Sequence, residues 1–290
     1  MNLKKVVRNF FNHISCKCIT ICSLLLLGSY EPVAADSQLT QHLPNLTIHG
    51  FAQDQVGYMW IATDNGLCRY NGQTYYHYQS EPDNPGSLPA NRVYDICTDN
   101  NGTLWIVSAN GICVYNSLHD NFESLLAQRG LHHITCNGQK VLCSGSAGMV
   151  LFDAASRKIL SRKKTEFYQS QVLETDRQGN FWGGSTDGRS ILKYDDKLNV
   201  CDSIRLHRPV RFRCTCRDRQ GRIWFGTEQG VVVLDPTTGN LTTDTQLLQC
   251  LALVSKFNVS MLTLTNDDTI YIGTQGDNIH AINLANYTFE

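Results

Sequence analysis

The sequence predicts an all-β fold, a β-propeller built from four-stranded antiparallel blades. The first observation is a repeat: the segment GYMWIATDNGLCRYNG, which begins at Gly57, returns in degenerate copies about every 42 residues. The second is that each copy divides into four short strands separated by polar turns, which is typical of a propeller blade. A lone four-stranded sheet of this size leaves apolar surface in water, and stacking successive sheets around an axis buries that surface.

Six copies align on the residue that opens the second strand of each blade. The anchors are tryptophan in four copies, leucine in the third and tyrosine in the sixth: Trp60, Trp105, Leu142, Trp182, Trp224 and Tyr271, at intervals of 45, 37, 40, 42 and 47 residues. We expect the anchors to pack between neighbouring blades. The last copy stops within or just before its outer strand, so we expect residues 36–290 to form an incomplete seven-bladed propeller. Closure with six blades is the alternative.

A tight turn precedes the anchor in four of the copies. An aspartate stands six residues before the anchor and a glycine three before it: Asp54 and Gly57, Asp99 and Gly102, Asp176 and Gly179, Asp218 and Gly221. The aspartate is expected to accept hydrogen bonds from backbone N–H groups of the turn, and the glycine to supply a positive φ. We interpret these positions, like the tryptophans, as structural parts of the blade.

Residues 1–35 have the layout of a secretory signal peptide. The first eight residues include three basic side chains, CITICSLLLLGSY is an apolar stretch of about a dozen residues, and Val33 and Ala35 occupy the small-residue positions before a cleavage site. The apolar stretch is too short for a comfortable membrane span. We therefore expect export to the periplasm, with an uncleaved N-terminal anchor as the alternative.

Charge and cysteine content exclude several classes of function. The formal net charge is −1, and without residues 1–35 it falls to near −4, so no basic footprint for nucleic acid is present. Nine cysteines follow residue 35, and several occupy equivalent repeat positions, which indicates buried small apolar residues rather than disulfides. CTC at 214–216 lacks the ligand spacing of a zinc site. We expect no metal and no cofactor.

The repeat resembles that of a known family. Its pattern, Asp-x-x-Gly-x-[Leu/Ile]-Trp-[Ile/Phe]-[Gly/Ala]-Thr-x-x-Gly-[Leu/Val], is similar to the two-component regulator propeller repeat. DRQGRIWFGTEQGVV from Asp218 and DQVGYMWIATDNGLCRYNG from Asp54 match best, and EPDNPGSLPANRVYDI is similar to the connection between blades in that family. The resemblance covers roughly residues 45–285.

This resemblance implies the periplasmic sensor region of a hybrid two-component histidine kinase, a class typical of gut bacteria that degrade polysaccharides. The implied ligands are glycan fragments. Such relatives usually continue into a second propeller, a small β-sandwich, one membrane helix and the kinase, none of which is found here. We therefore expect a front fragment or stand-alone propeller that is not an enzyme. Its partners would be an oligosaccharide and a second propeller or sensor kinase chain, with membrane contact only through a missing or partner segment.

A binding site is placed by blade topology. The segment that enters the innermost strand and the turn between the second and third strands fall on one face, and that face gathers aromatic, amide and basic side chains that suit a sugar. The candidates for ligand binding are Asn91, Arg92, Tyr94, His132, Tyr168, Arg189 and Arg211. Neighbouring strand residues point to opposite faces, so His132 and His133 are not expected to share a site.

No phosphate-binding loop, His-Glu-x-x-His or Gly-x-Ser-x-Gly motif is present. A propeller lyase or hydrolase acting on polysaccharide stays open as an alternative, because its catalytic residues would come from different blades. Two further alternatives are a non-catalytic scaffold for protein partners and a fragment with no role of its own.

Overall fold

Six antiparallel sheets form the blades of a ring, as the repeat predicts. The computed structural model describes residues 43–45, 47–164, 173–265, 267–275 and 279–290. The expected signal peptide, residues 1–35, lies outside the described residues. In every blade the strands pair in chain order, from the innermost strand outwards.

The strands are short, and the blades divide them as follows. Blade 1 has β1 (Ile48–Gln53), β2 (Met59–Thr63), β3 (Gly66–Tyr70) and β4 (Tyr75–Tyr78); blade 2 has β5 (Val93–Thr98), β6 (Leu104–Ser108), β7 (Gly111–Asn116) and β8 (Asn121–Leu126); blade 3 has β9 (His133–Cys136), β10 (Lys140–Gly145), β11 (Gly148–Asp153) and β12 (Ile159–Lys163); blade 4 has β13 (Leu173–Thr175), β14 (Phe181–Gly184), β15 (Ser190–Tyr194) and β16 (Val200–Arg205); blade 5 has β17 (Phe212–Arg217), β18 (Ile223–Thr227), β19 (Gly230–Asp235) and β20 (Asn240–Leu241); blade 6 has β21 (Val259–Leu264), β22 (Thr269–Thr274) and β23 (Ile279–Asn283).

The anchors pack between blades, which confirms the prediction for the four tryptophans and for Leu142. The tryptophan side chains are at most 1% exposed. Each lies in a core cluster shared with the next blade; Trp105, for example, packs with Val141, Val150 and Phe152 of blade 3. Tyr271, the weakest anchor, is only half-buried.

Each repeat aspartate bonds to the tryptophan of its own blade, a contact that the sequence reading did not foresee. The indole Nε1 donates to the carboxylate Oδ2 at 2.8 Å in blade 1, 3.0 Å in blade 2, and 2.9 Å in blades 4 and 5; the pairs are Trp60–Asp54, Trp105–Asp99, Trp182–Asp176 and Trp224–Asp218. The other oxygen, Oδ1, accepts backbone N–H groups of the turn, as predicted; in blade 2 the donors are Asn101 and Thr103. One carboxylate therefore fixes both the hairpin and the anchor.

Blades 5 and 6 differ from the predicted pattern. The outer strand β20 has only two residues, and a helix, α1 (Thr245–Leu253), follows it. Asp244 caps the helix by accepting from the N–H groups of residues 246 and 247, and Leu247, Cys250 and Leu251 are buried in the core that blades 5 and 6 share. The cap and this apolar face explain why a helix follows the short outer strand. Within the described residues, no helix is both long and apolar enough to cross a membrane.

Blade 6 has three strands, and the last residues of the chain pair with the third strand where a fourth would lie. Ala281 and Glu290 exchange backbone hydrogen bonds of 2.8 and 3.0 Å, and Ile282 pairs with Phe289. Blade 6 meets blade 1 through Met261, which shares a core cluster with residues of β1 to β3. Six blades thus form the ring, which agrees with the alternative of closure with six blades, and the described residues contain no seventh blade.

Blades 1 and 2 are also joined by one buried cation. The Arg69 guanidinium lies 3.3 Å from Asp120 and within 6 Å of five aromatic ring centroids: those of Tyr58, Trp60, Tyr76, Tyr78 and Tyr115. Cation–π contacts of this kind stabilise most when the cation is shielded from water. Arg69 is only 13% exposed, so this contact links β3 of blade 1 to β7 and the following turn of blade 2.

The cysteines behave as small apolar residues, as predicted. None of the nine in the described part of the chain forms a disulfide there; seven are buried, and Cys201 is exposed. Burial raises the pKa of the Cys68 thiol to about 12, which keeps that side chain neutral and unreactive.

Candidate functional site

One face of the ring was predicted from blade topology to carry the binding site, and we call it the loop face. It carries the turns between the second and third strands and the segments that enter the innermost strands. Backbone hydrogen bonds join the two kinds of segment: Gly66 N–H donates to Asn91 O at 2.6 Å, Ala109 N–H to Arg92 O at 2.9 Å, and Glu228 N–H to Arg211 O at 3.1 Å. The aspartate turns lie on the opposite side, which we call the Asp face.

Five side chains of blades 1 to 3 meet on the loop face. We call them the His–Tyr cluster: His49, Asp64, Arg92, Tyr94 and His132. The Tyr94 ring lies edge-on to His132, with centroids 4.7 Å apart, and 6.4 Å from His49. Asp64 Oδ1 lies 2.7 Å from His49 Nε2 and 2.8 Å from Arg92 Nε. The Arg92 guanidinium is 5.5 Å from the Tyr94 ring centroid. Two predicted candidates, Tyr94 and His132, are thus in direct contact, and the third, Arg92, contacts Tyr94.

A β-bulge aims two of these rings at the loop face. In β1 and β5 one extra residue stands opposite the partner strand, and the register shift falls at His49 and Tyr94. The same shift recurs at Arg213 in β17 and at Ser260 in β21. A bulge bends the strand and redirects a side chain, and bulges are frequent next to binding sites.

His49 was not selected from the sequence, although its spacing from the repeat aspartate marks it as a bulge residue. His49, Tyr94 and Arg213 each stand five residues before the repeat aspartate, and His132 stands five before Asn137. Asn137 replaces that aspartate in blade 3, where its side-chain oxygen accepts from Lys140 N–H at 2.8 Å. Aligning this column across the repeats would have selected His49 together with Tyr94 and His132.

Burial keeps the two adjacent histidines neutral. It lowers the pKa of His132, and the nearby Arg92 charge lowers it further. Burial and the neighbouring His132 lower the pKa of His133 to about 4. His133 Nδ1 lies 3.9 Å from the buried carboxylate of Asp95, which accepts backbone N–H groups of residues 96 and 134. His132 faces Tyr94 and His133 faces Asp95, so the two rings do not share a contact.

The other sequence-predicted residues have different surroundings. Asn91 is exposed, and its side-chain oxygen accepts a hydrogen bond of 2.7 Å from Ser80 N–H. This bond stabilises the linker between blades 1 and 2. Arg189 and Arg211 are exposed on the loop face in blades 4 and 5, outside the His–Tyr cluster. Tyr168 lies outside the described residues.

The arrangement suits non-covalent recognition. The faces of aromatic rings stack on sugar rings, and a carboxylate held between a histidine and an arginine accepts hydrogen bonds from hydroxyl groups. Among the residues that the structure describes, no three His, Cys, Asp or Glu side chains converge as metal ligands.

The histidines predict a pH dependence of stability. The folded-state pKa of His133 is about 4, against an ordinary value of 6.5, so the unfolded chain takes up this proton at higher pH than the folded chain. The stability that the neutral ring contributes is therefore present above pH 6.5 and is lost as the pH falls from 6.5 to 4. Because His133 is partly exposed, we expect a loss on the order of 1 kcal/mol.

Chemical denaturation at about pH 7 and about pH 5 measures this loss. His133→Gln is expected to flatten the dependence. The carboxylates with lowered pKa, such as Asp187, titrate below their ordinary 3.8 and do not contribute in this window. An unchanged pH dependence in the variant would contradict the assignment.

Comparison with known proteins supports the repeat and the fold. A family profile described as two component regulator propeller matches residues 42–65, 87–110 and 207–229. Each matched segment covers the entry to a blade and its first two strands, in blades 1, 2 and 5. No curated protein matches the sequence.

Several solved structures share the fold. The extracellular domain of the putative hybrid two component system BT3049 from B. thetaiotaomicron is 21% identical, with a TM-score of 0.65 over 87% of this chain and 35% of its own. That of the putative one component system BT4673 from the same organism is 19% identical, with a TM-score of 0.64 over 84% and 32%. Virginiamycin B lyase from Staphylococcus aureus is 13% identical, with a TM-score of 0.63 over 84% and 83%. The chain thus spans about a third of the length of the two signalling-system domains.

Proposed function

We propose that this chain, which carries two-component regulator propeller repeats, is the ligand-sensing propeller of a two-component signalling system. It acts outside the cytoplasmic membrane, after export through its N-terminal segment, and recognises glycan fragments on its loop face. The propeller itself is not catalytic, and the phosphate transfer takes place in a sensor kinase.

The His–Tyr cluster is the observation that carries the proposal. It combines two kinds of group that sugar recognition requires, namely the rings of His49, Tyr94 and His132 and the polar pair of Asp64 and Arg92. The side chain of Arg92 is 54% exposed and that of Asp64 is 28% exposed, so both reach solvent beside the rings. Pre-positioned polar groups beside apolar faces are typical of small-molecule sites.

Signalling by this propeller needs a further element. The ring offers two sides, and ligand bound on the loop face at blades 1 to 3 would bridge separate blades. Binding energy that depends on the relative position of blades can shift the position of attached domains. We propose a second propeller or a sensor kinase chain as the element that reads this shift.

A glycan binding screen tests the proposal. We expect the purified chain to bind oligosaccharides in the screen, and Tyr94→Ala with His132→Ala to weaken binding about tenfold, since a lost ring contact of about 1.4 kcal/mol corresponds to that factor. His77→Ala with His119→Ala is the matched control, because it removes two exposed rings of blades 1 and 2 that lie outside the His–Tyr cluster. Binding of no glycan by the folded protein would contradict the proposal, as would equal losses in both double variants.

A lyase is the second candidate, and one observation favours it. The lowered pKa of His132 leaves a neutral imidazole next to Tyr94 and Arg92, which is the state that a general base requires. The likeness to virginiamycin B lyase shows a shared fold only. Incubation with polyuronate, followed by the ultraviolet absorbance of unsaturated products, separates the candidates. A sensor gives no product, whereas a lyase gives a product that His132→Ala abolishes.

A further inference from the structure

A second charged feature of the loop face lies in blades 4 and 5. Exposed arginines lie at the end of β16, in the linker to β17, at the start of β17 and in the nearby turn of blade 4. We call them the arginine patch: Arg189, Arg205, Arg208, Arg211 and Arg213. The chain as a whole has a net charge of −1, so this concentration of positive charge is a local feature and not a consequence of composition.

The backbone holds the patch in a fixed arrangement. Leu206 and Val210 are 8% and 7% exposed and are anchored in the core shared by blades 4 and 5. Leu206 N–H donates to Arg189 O at 2.8 Å, and Val210 N–H donates to Gly188 O at 2.9 Å. The linker therefore lies against the turn of blade 4, and the residues between its two buried anchors are directed to solvent.

The side chains of the patch are not used inside the protein. Among the described residues, no carboxylate lies within ion-pair distance of any of the five arginines, whereas Arg69, Arg92, Arg157 and Arg222 all have such partners. Two acidic residues lie nearby, Asp187 and Glu228, and both are exposed. Asp187 already accepts the Ser185 hydroxyl at 2.6 Å and Arg189 N–H at 3.0 Å. Among the residues that the structure describes near the patch, five guanidinium groups thus lie beside two carboxylates, one of which already accepts local hydrogen bonds.

The bulge places one member of the patch in the same repeat position as the His–Tyr cluster. Arg213 is the extra residue of β17, as His49 and Tyr94 are the extra residues of β1 and β5. The rings of blades 1 to 3 and the guanidinium groups of blades 4 and 5 therefore belong to one face. A ligand large enough to span that face would meet aromatic rings at one side and positive charge at the other.

We propose that the arginine patch binds the carboxylate or sulfate groups of an anionic oligosaccharide. This inference rests on the proposed glycan-sensing function and specifies the class of glycan. A guanidinium group is always charged and donates two parallel hydrogen bonds to a carboxylate or sulfate, so arginine suits these groups better than lysine does. A saccharide is favoured over nucleic acid because the same face carries the His–Tyr cluster and the chain has no overall positive charge.

Calorimetric titration with four probes tests this inference. The probes are a polygalacturonate hexasaccharide, a sulfated chondroitin hexasaccharide, a neutral cellohexaose and a single-stranded DNA hexamer. The purified chain is expected to bind at least one of the two anionic saccharides more tightly than cellohexaose and the DNA. Raising the salt from about 0.05 to about 0.5 M is expected to weaken that binding, because ions screen exposed charges.

Matched variants locate the binding. Arg208→Gln with Arg211→Gln is expected to weaken binding of the anionic saccharide about tenfold, and Arg208→Lys with Arg211→Lys to give an intermediate loss, because the charge remains while the paired donors are lost. Lys158→Gln with Lys197→Gln removes the same charge from exposed turns of the Asp face and is expected to change nothing.

Each alternative outcome has a separate meaning. Tighter binding of cellohexaose, with the arginine variants unaffected, would overturn the inference and leave the glycan-sensing function standing. Tighter binding of the DNA would overturn the choice of saccharide. Binding of no saccharide would overturn both, and equal losses in the arginine and lysine variants would show that the patch is not the site.

Discussion

Replacing Trp105 by alanine is expected to lower the free energy of unfolding by about 3–5 kcal/mol. The side chain is fully buried between blades 2 and 3, and its ring lies 5.5 Å from that of Phe152. Its removal leaves a cavity between two sheets that contact each other mainly through this core, and it leaves the Asp99 carboxylate without the indole donor. Denaturant unfolding of the wild type and variant measures the loss.

A double-mutant cycle separates packing from the hydrogen bond. Trp105→Phe keeps an aromatic ring and removes the indole N–H, whereas Asp99→Ala removes the acceptor and the cap of the turn. We expect the two changes to be non-additive, because each removes the same 3.0 Å bond. Leu118→Ala, at a side chain that is 84% exposed, is the control and is expected to be nearly neutral. A loss below about 1 kcal/mol for Trp105→Ala would contradict the structural role given to the anchor.

Gly111→Ala is expected to destabilise the protein by about 3–4 kcal/mol. Gly111 begins β7 with a φ of 144°, and a Cβ atom there would lie 2.0 Å from the carbonyl oxygen of Leu126. That oxygen belongs to the backbone at the end of the outer strand, so relief requires moving two strands rather than one side chain. Thermal and denaturant unfolding measure the effect.

Gly72→Ala is the matched control for the backbone conformation. Gly72 has a φ of 97°, and a Cβ atom there would meet nothing within 4 Å. Alanine at this position therefore adds only conformational strain, about 1 kcal/mol. Equal losses at the two positions would show that the close approach of the outer strand does not contribute.

The sequence predicted the architecture well because the repeat is a direct consequence of blade geometry. The Asp-x-x-Gly turn, the buried anchor and the second glycine recur because every blade has the same turns and packs against its neighbours in the same way. The structure of one copy therefore predicts that of the others. The helix α1 was not predicted, because the segment after β20 has no counterpart in the other copies. Its capping by Asp244 becomes apparent only when the core between blades 5 and 6 is known.

The site could be predicted only in part, since its members come from separate blades. Topology placed three members of the His–Tyr cluster, Arg92, Tyr94 and His132, on one face of the ring. It did not select His49, because the β-bulge that redirects this side chain leaves no local signal in a single strand. The repeat column five residues before the turn aspartate does carry this signal, and it also contains Arg213.

The central claim is that the loop face binds a glycan. Hydrogen–deuterium exchange tests this most directly, with and without a saturating concentration of whichever of the two anionic hexasaccharides binds more tightly. We expect slower amide exchange in peptides that cover residues 89–95, 130–134 and 205–213 of the loop face. Exchange in the turns of the Asp face, at 54–58, 99–103 and 218–222, is expected not to change. Protection confined to the Asp face, or protection nowhere, would contradict the claim.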